Sequence, residues 1–212
     1  MAGPHHRQPI VTRGLPPEEA RAAVITLHGR GADAEDILAL IPHIATPGFT
    51  YAAPQAAGNT WYPDRFIAPL EHNEPWLSSA LELVGETLAR LAAAGIPAEK
   101  TVLLGFSQGA CLALEYAARN ARRYGGVAAL TGGLIGPDGT PRNYSGSLNG
   151  TPVFIGSSDI DPHVPLGRVQ HSTKVLTALG GRVTERIYPR MAHTINDDEL
   201  TFVQEMLAAL VV

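Results

Sequence analysis

The chain has 212 residues, 45% of them hydrophobic, which suits one well-packed domain spanning 1–212 and is too short for two. Sixteen Lys and Arg against 20 Asp and Glu give a net charge of −4, with no basic run longer than Arg122 and Arg123, which argues against nucleic-acid binding. A single cysteine, Cys111, excludes an intrachain disulfide and reads as a small apolar helix residue.

The N-terminal "MAGPHHRQPIVTRG" lacks the apolar core of a signal peptide, and no segment approaches the roughly 18 apolar residues of a membrane span. A cytoplasmic protein without membrane insertion is expected, with residues 1–8 as a mobile tail. "AAVITLHG" (Ala22 to Gly29) then reads as a buried strand, and "DAEDILALIPHI" as one short helix capped by Asp33. After the strand "FTYAAP", Leu77, Leu81, Val84, Leu88 and Leu91 recur at spacings of four and three, predicting a helix from about Pro75 to Ala94. "TVLLGF" is the next strand, followed by a helix from Ser107 whose last turn is expected to carry Arg119, Arg122 and Arg123. "GGVAALTGG" and "PVFIGSSD" read as strands, and a helix is predicted near Val164 to Leu179. The strand "RVTERIYP" and a final helix opening on the capping-box pair Asn196 and Glu199 complete the chain.

This alternation predicts an α/β fold: a mostly parallel sheet with helices on both faces, binding its ligand at the carboxyl ends of the strands. The Gly- and Pro-rich stretches from about Gln55 to Pro75 and Gly132 to Thr151 are long for plain connections and are expected to wall the site. No large insertion separates the core strands, so any lid is short.

In "GFSQGA", Gly105 closes an apolar strand and Gly109 falls in the first turn of a helix, the strand–turn–helix setting of a nucleophile elbow around Ser107. The alternative is a glycine-rich turn in which Ser107 merely caps the helix. A serine hydroxyl needs a base, and the base an orienting carboxylate, in the chain order Ser, Asp or Glu, His. Asp159 and Asp161 follow "PVFIG", and His193 follows "TERIYP". The residues alone do not choose between the two aspartates. The other histidines fit less well. His5 and His6 lie in the tail, His43 and His72 follow no strand, His171 is inside a helix, and His163 is too close to Asp161 in sequence. No His-x-x-x-His pair suggests a metal, and Cys111 stands alone.

Stabilising the oxyanion of an acyl-transfer step takes two backbone N–H groups. Gln108, the residue after Ser107, offers one, and Arg30, flanked by Gly29 and Gly31 in "LHGRGAD", offers the other. His28 is expected to brace this loop. Trp61, Tyr62 and Phe66, with Leu134 and Ile135 opposite, are candidate substrate-binding walls, each also compatible with core packing.

With "LHGRGAD", "GFSQGA", "DIDPHVP" and "MAHTIND" in order, the chain resembles the phospholipase/carboxylesterase family of α/β-hydrolases, which includes acyl-protein thioesterases. "GNTWYPDRF" and "NEPWLSSAL" look most like its bacterial carboxylesterases. The resemblance implies an α/β-hydrolase fold with little or no lid, ester hydrolysis through an acyl-enzyme without cofactor or metal, a small-molecule ester as partner, short to medium acyl chains and a homodimer. Through "DPHVP" it selects Asp161 over Asp159 as the acid of a Ser107, Asp161 and His193 triad. Arg30 departs from the thioesterase pattern, where an apolar residue is common, and points away from long acyl chains toward a substrate with an acidic group.

Overall fold

In the computed structural model, which describes residues 3–211, seven strands build one sheet. They are β1 (Ile10–Gly14), β2 (Ala22–Leu27), β3 (Phe49–Pro54), β4 (Thr101–Phe106), β5 (Gly126–Leu130), β6 (Pro152–Ser158) and β7 (Arg182–Tyr188). The spatial order is β1-β3-β2-β4-β5-β6-β7, parallel throughout except that β1 runs antiparallel to β3. Central strands are apolar at nearly every position because both faces are covered. Ala23, Ile25, Leu27 and Leu103 point into one core, and Ala22, Val24, Val102 and Leu104 into the other.

The helices are α1 (Ala34–Leu38), α2 (Ile41–Ile44), α3 (Trp76–Ala93), α4 (Gln108–Arg119), α5 (Leu166–Ala178) and α6 (Asp197–Leu210). The first core is completed by α3, α4 and α5, and the second by α1, α2 and α6. Both expected caps form. Asp33 and Asp36 exchange side-chain-to-backbone hydrogen bonds at the start of α1, as Asn196 and Glu199 do at α6.

Several boundaries differ from the sequence reading. The helix expected to run from Asp33 to Ile44 is two, because Pro42 has no N–H to return to Leu38 and a new turn begins at Ile41. Helix α4 ends at Arg119, so Arg122 and Arg123 lie beyond its last turn. Strand β1 was not expected. It is a short edge strand, half-buried at Ile10 and Val11 and exposed from Thr12 onward, which blurs its apolar pattern. Residues 3–8 correct the expectation of a mobile tail. His5 is buried against Trp61 and Trp76, receives the Ala57 N–H on Nδ1 at 3.0 Å, and sits 2.9 Å from the Trp61 carbonyl through Nε2. Residues 1 and 2 of that segment lie outside the described residues.

The chain leaves β2 for β3 on one side and returns through α3 to β4 on the other. The loops after β2 and β4 therefore diverge and open a crevice at the carboxyl edge of the sheet.

Candidate active site

Ser107 leaves β4 at that crevice with φ 54° and ψ −116°, a strained conformation for a residue with a side chain. Glycines on both sides make the turn possible: a Cβ on Gly105 would collide with the backbone of Gly109, and one on Gly109 with the Leu27 carbonyl. The Ser107 side chain makes no cap hydrogen bond to α4. Its Oγ instead lies 2.8 Å from Nε2 of His193.

His193 Nδ1 lies 2.7 Å from Oδ2 of Asp161. An ionised carboxylate only accepts, so Nδ1 carries the proton and Nε2 presents its lone pair to the Ser107 hydroxyl. Asp161 follows β6 and is held by the backbone N–H groups of His163 and Val164, each 2.8 Å from Oδ1. Burial pushes its carboxyl up, but the hydrogen bonds from His193, Val164 and His163 outweigh this and hold it below the usual carboxylate range. Asp159, the alternative acid, is exposed and accepts the Arg190 N–H at 2.7 Å, bracing the loop that carries His193 without touching the imidazole. Phe106 and His163 pack against the His193 ring at centroid distances of 5.3 and 4.7 Å.

The loop after β2 runs beside this chain of three side chains. His28 is buried with Nδ1 2.8 Å from the Gly29 carbonyl, while Nε2 receives the Ala56 N–H at 3.1 Å. It thereby ties the loop after β2 to the loop after β3, and burial lowers its pKa, consistent with a neutral ring. The Gly31 N–H is engaged by the Asn59 carbonyl at 2.7 Å, whereas the Arg30 N–H has no acceptor among the described residues. Gln108 is the first residue of α4, so its N–H lacks a helical acceptor as well.

A cavity of about 390 Å³ opens over Ser107 and His193. Of the five expected walls, Tyr62 and Phe66 line it and Trp61, Leu134 and Ile135 do not. Those three are fully buried in the core below. Trp61 turns inward because its indole N–H donates to the His28 carbonyl at 2.9 Å. The Leu134 N–H is held by Ser172 Oγ and the Ile135 N–H by the buried Glu115 carboxylate, both at 2.9 Å, which directs both side chains inward. No residue of the 132–151 stretch lines the cavity. Pro63, Asp64 and Arg65, in the 55–75 stretch expected to wall the site but not singled out there, line it too, as do His163 and Val164, which were not anticipated. Hydropathy gave no signal for them, since four of the five are exposed or half-buried loop residues. Cys111 also lines the cavity, and burial pushes its thiol up to about 12, away from the nucleophilic thiolate form.

The wall is strung from two side chains. Gln108 Oε1 accepts the Trp61 N–H at 2.9 Å, and its Nε2 donates to the Tyr62 carbonyl at 2.8 Å. The Arg30 guanidinium donates to the carbonyls of Pro63 at 2.8 Å and Asp64 at 2.6 Å. Both candidate oxyanion residues thus also carry the 60–66 loop.

A mostly parallel seven-stranded sheet with a serine elbow after β4, and an aspartate and a histidine after β6 and β7, defines an α/β-hydrolase. The phospholipase/carboxylesterase family model matches residues 13–211, and the chain belongs to that family. Among solved structures, a phospholipase/carboxylesterase from Dyadobacter fermentans is 48% identical, with a TM-score of 0.92 over 95% of this chain and 97% of that one. The esterase PE8 is 26% identical, with a TM-score of 0.76 over 96% of this chain and 98% of its own. Acyl-protein thioesterase 1 of Saccharomyces cerevisiae is 30% identical over 142 residues, 62% of this chain and 60% of the yeast protein's length. Among the described residues no helix is long and apolar enough to cross a membrane.

Proposed function

We propose that the chain is a serine hydrolase that cleaves small carboxylic esters with short to medium acyl chains through an acyl-enzyme. The observation that carries this reading is the hydrogen-bonded sequence from Ser107 Oγ to His193 Nε2 at 2.8 Å and from His193 Nδ1 to Asp161 Oδ2 at 2.7 Å. As Ser107 Oγ attacks the carbonyl carbon, its proton passes to His193 Nε2, and Asp161 stabilises the resulting imidazolium. The oxyanion accepts hydrogen bonds from the N–H groups of Arg30 and Gln108, both free for it. His193 then gives its proton to the departing alcohol. Water, deprotonated by the same nitrogen, releases the acid and restores Ser107.

His193 can protonate a departing thiolate as well as an alkoxide, so thioester cleavage is the second reading, favoured by the thioesterase name of the yeast relative. Hydrolysis of p-nitrophenyl esters from acetate to long acyl chains, by the parent and by Ser107→Ala, tests the proposal. The expected result is activity in the parent, greatest on short or medium chains, that drops by about 10³-fold or more in the variant. Equal rates in the two proteins would overturn it.

A further inference from the structure

Three charged residues other than histidine line the cavity over Ser107: Arg30, Arg65 and Asp64. Asp64 is engaged elsewhere: Oδ1 accepts the Arg65 N–H at 2.7 Å, and Oδ2 faces His72 Nδ1 at 3.2 Å. The Arg30 guanidinium is hydrogen-bonded only to neutral oxygens, those of Pro63, Asp64 and Thr60. With the Arg65 N–H and His72 it helps hold the nearby Asp64 carboxylate below its usual range, but it makes no ion pair with it among the described residues. Arg65 forms hydrogen bonds through its backbone only, with Asp64, Ala68 and Asn73, and its exposed guanidinium has no partner among the described residues. Of the other carboxylates near the lining, Asp161 is buried behind His193 and already occupied by it and two N–H groups, and the buried Glu115 is paired with Arg119 and Arg142.

An ester needs no cation for the chemistry described, since backbone N–H groups serve the oxyanion. Two guanidinium groups against the one carboxylate of Asp64 leave a net positive charge at the mouth of a partly apolar cleft, which favours an anion, and a free guanidinium matches a carboxylate in a two-pronged hydrogen bond. We propose that the substrate is a small ester bearing a second, ionised carboxylate, which Arg65 engages at the cavity mouth while Arg30 adds a fixed positive field. The proposal rests on the hydrolase reading above and names its substrate class.

Two substrate pairs test it, each an anionic ester against a neutral one. Monomethyl adipate against methyl hexanoate places the charge on the acyl side, and 3-acetoxybenzoate against phenyl acetate places it on the alcohol side. The quantity read is the anionic-to-neutral ratio of kcat/KM. In at least one pair Arg65→Gln is expected to lower that ratio by about tenfold, Arg65→Lys to retain most of it, and 0.5 M salt to reduce it in the parent. Arg65 is exposed and its side chain makes no internal bond, so these variants should fold. A parent that cleaves p-nitrophenyl acetate but shows ratios unchanged by Arg65→Gln in both pairs would overturn this proposal alone. A parent inactive on p-nitrophenyl acetate and on all four esters would overturn the hydrolase reading, and this one with it.

Discussion

The carboxamide of Gln108 grips the chain at Trp61, accepting the Trp61 N–H at 2.9 Å while donating to the next carbonyl, that of Tyr62, at 2.8 Å. One residue thus presents a candidate oxyanion N–H through its backbone and anchors the cavity wall through its side chain. Gln108→Ala keeps the backbone donor and releases the wall. The expected outcome is a rise in KM of about tenfold with a smaller fall in kcat, because the buried Trp61 N–H loses its partner and the Tyr62 carbonyl keeps only Thr60 Oγ1. A fall in kcat alone, measured by steady-state kinetics, would contradict this division of roles.

Trp61 and Phe66 sit five residues apart on the same loop and should behave differently. Trp61 is wholly buried, with its indole N–H bonded to His28 and its ring against His28 and His5. Trp61→Ala is expected to destabilise the fold by about 3–5 kcal/mol. Phe66 lines the cavity, so Phe66→Ala is expected to move the preferred acyl chain to greater length. Thermal denaturation and a chain-length profile separate the two. An unchanged profile in Phe66→Ala would remove Phe66 from the wall.

The two aspartates after β6 offer a paired test. Asp161→Asn removes the acceptor that fixes the His193 tautomer, and kcat should fall by about 10⁴-fold with KM little changed. Asp159→Asn weakens only the bond to the Arg190 N–H, so a loss of about tenfold or less is expected. Equal losses would show that the brace matters as much as the contact with His193.

Glu199 links stability to pH. It lies buried at the start of α6 against Gly156, with Oε2 accepting the Asn196 N–H at 3.0 Å and Oε1 without a partner. Burial pushes its carboxyl up from the usual 4.5 to about 7. Between those values the unfolded chain has released this proton and the folded chain keeps it, so the contribution to stability falls as pH rises through the window and is flat above it. Glu199→Gln retains the cap acceptor and removes this decline. At pH 8 the variant should be more stable by on the order of 2–3 kcal/mol, with the difference vanishing near pH 4. Denaturant midpoints that stay parallel for the two proteins across this range would contradict it.

The sheet, and the order of Ser107, an aspartate after β6 and His193, could be read from the chain because their signals are local, whereas the choice of Asp161 over Asp159 rests on the family resemblance. Buried parallel strands are continuous apolar runs, the elbow needs glycines at fixed offsets, and the capping box of Asn196 and Glu199 occupies four residues. The walls were harder, because Trp61, Leu134 and Ile135 are apolar loop residues whose direction depends on distant partners: His28 for Trp61, Ser172 for Leu134 and Glu115 for Ile135. His5 is a similar case. A histidine five residues before the first strand gives no local sign that a loop more than 50 residues later will bury it. Strand β1 carries no such signal, because an edge strand with one exposed end does not show the apolar run of its neighbours.

The central claim is that Ser107 is a nucleophile, and reaction of the folded protein with a fluorophosphonate probe, with the adduct located by peptide mass spectrometry, tests it most directly. One adduct on Ser107, absent from Ser107→Ala and sharply slowed in a His193→Ala variant, is the result predicted from the 2.8 Å contact between the two side chains. Folded protein that gives no adduct at Ser107, or labels there equally fast without His193, would contradict the assignment and leave a binding protein on a hydrolase fold.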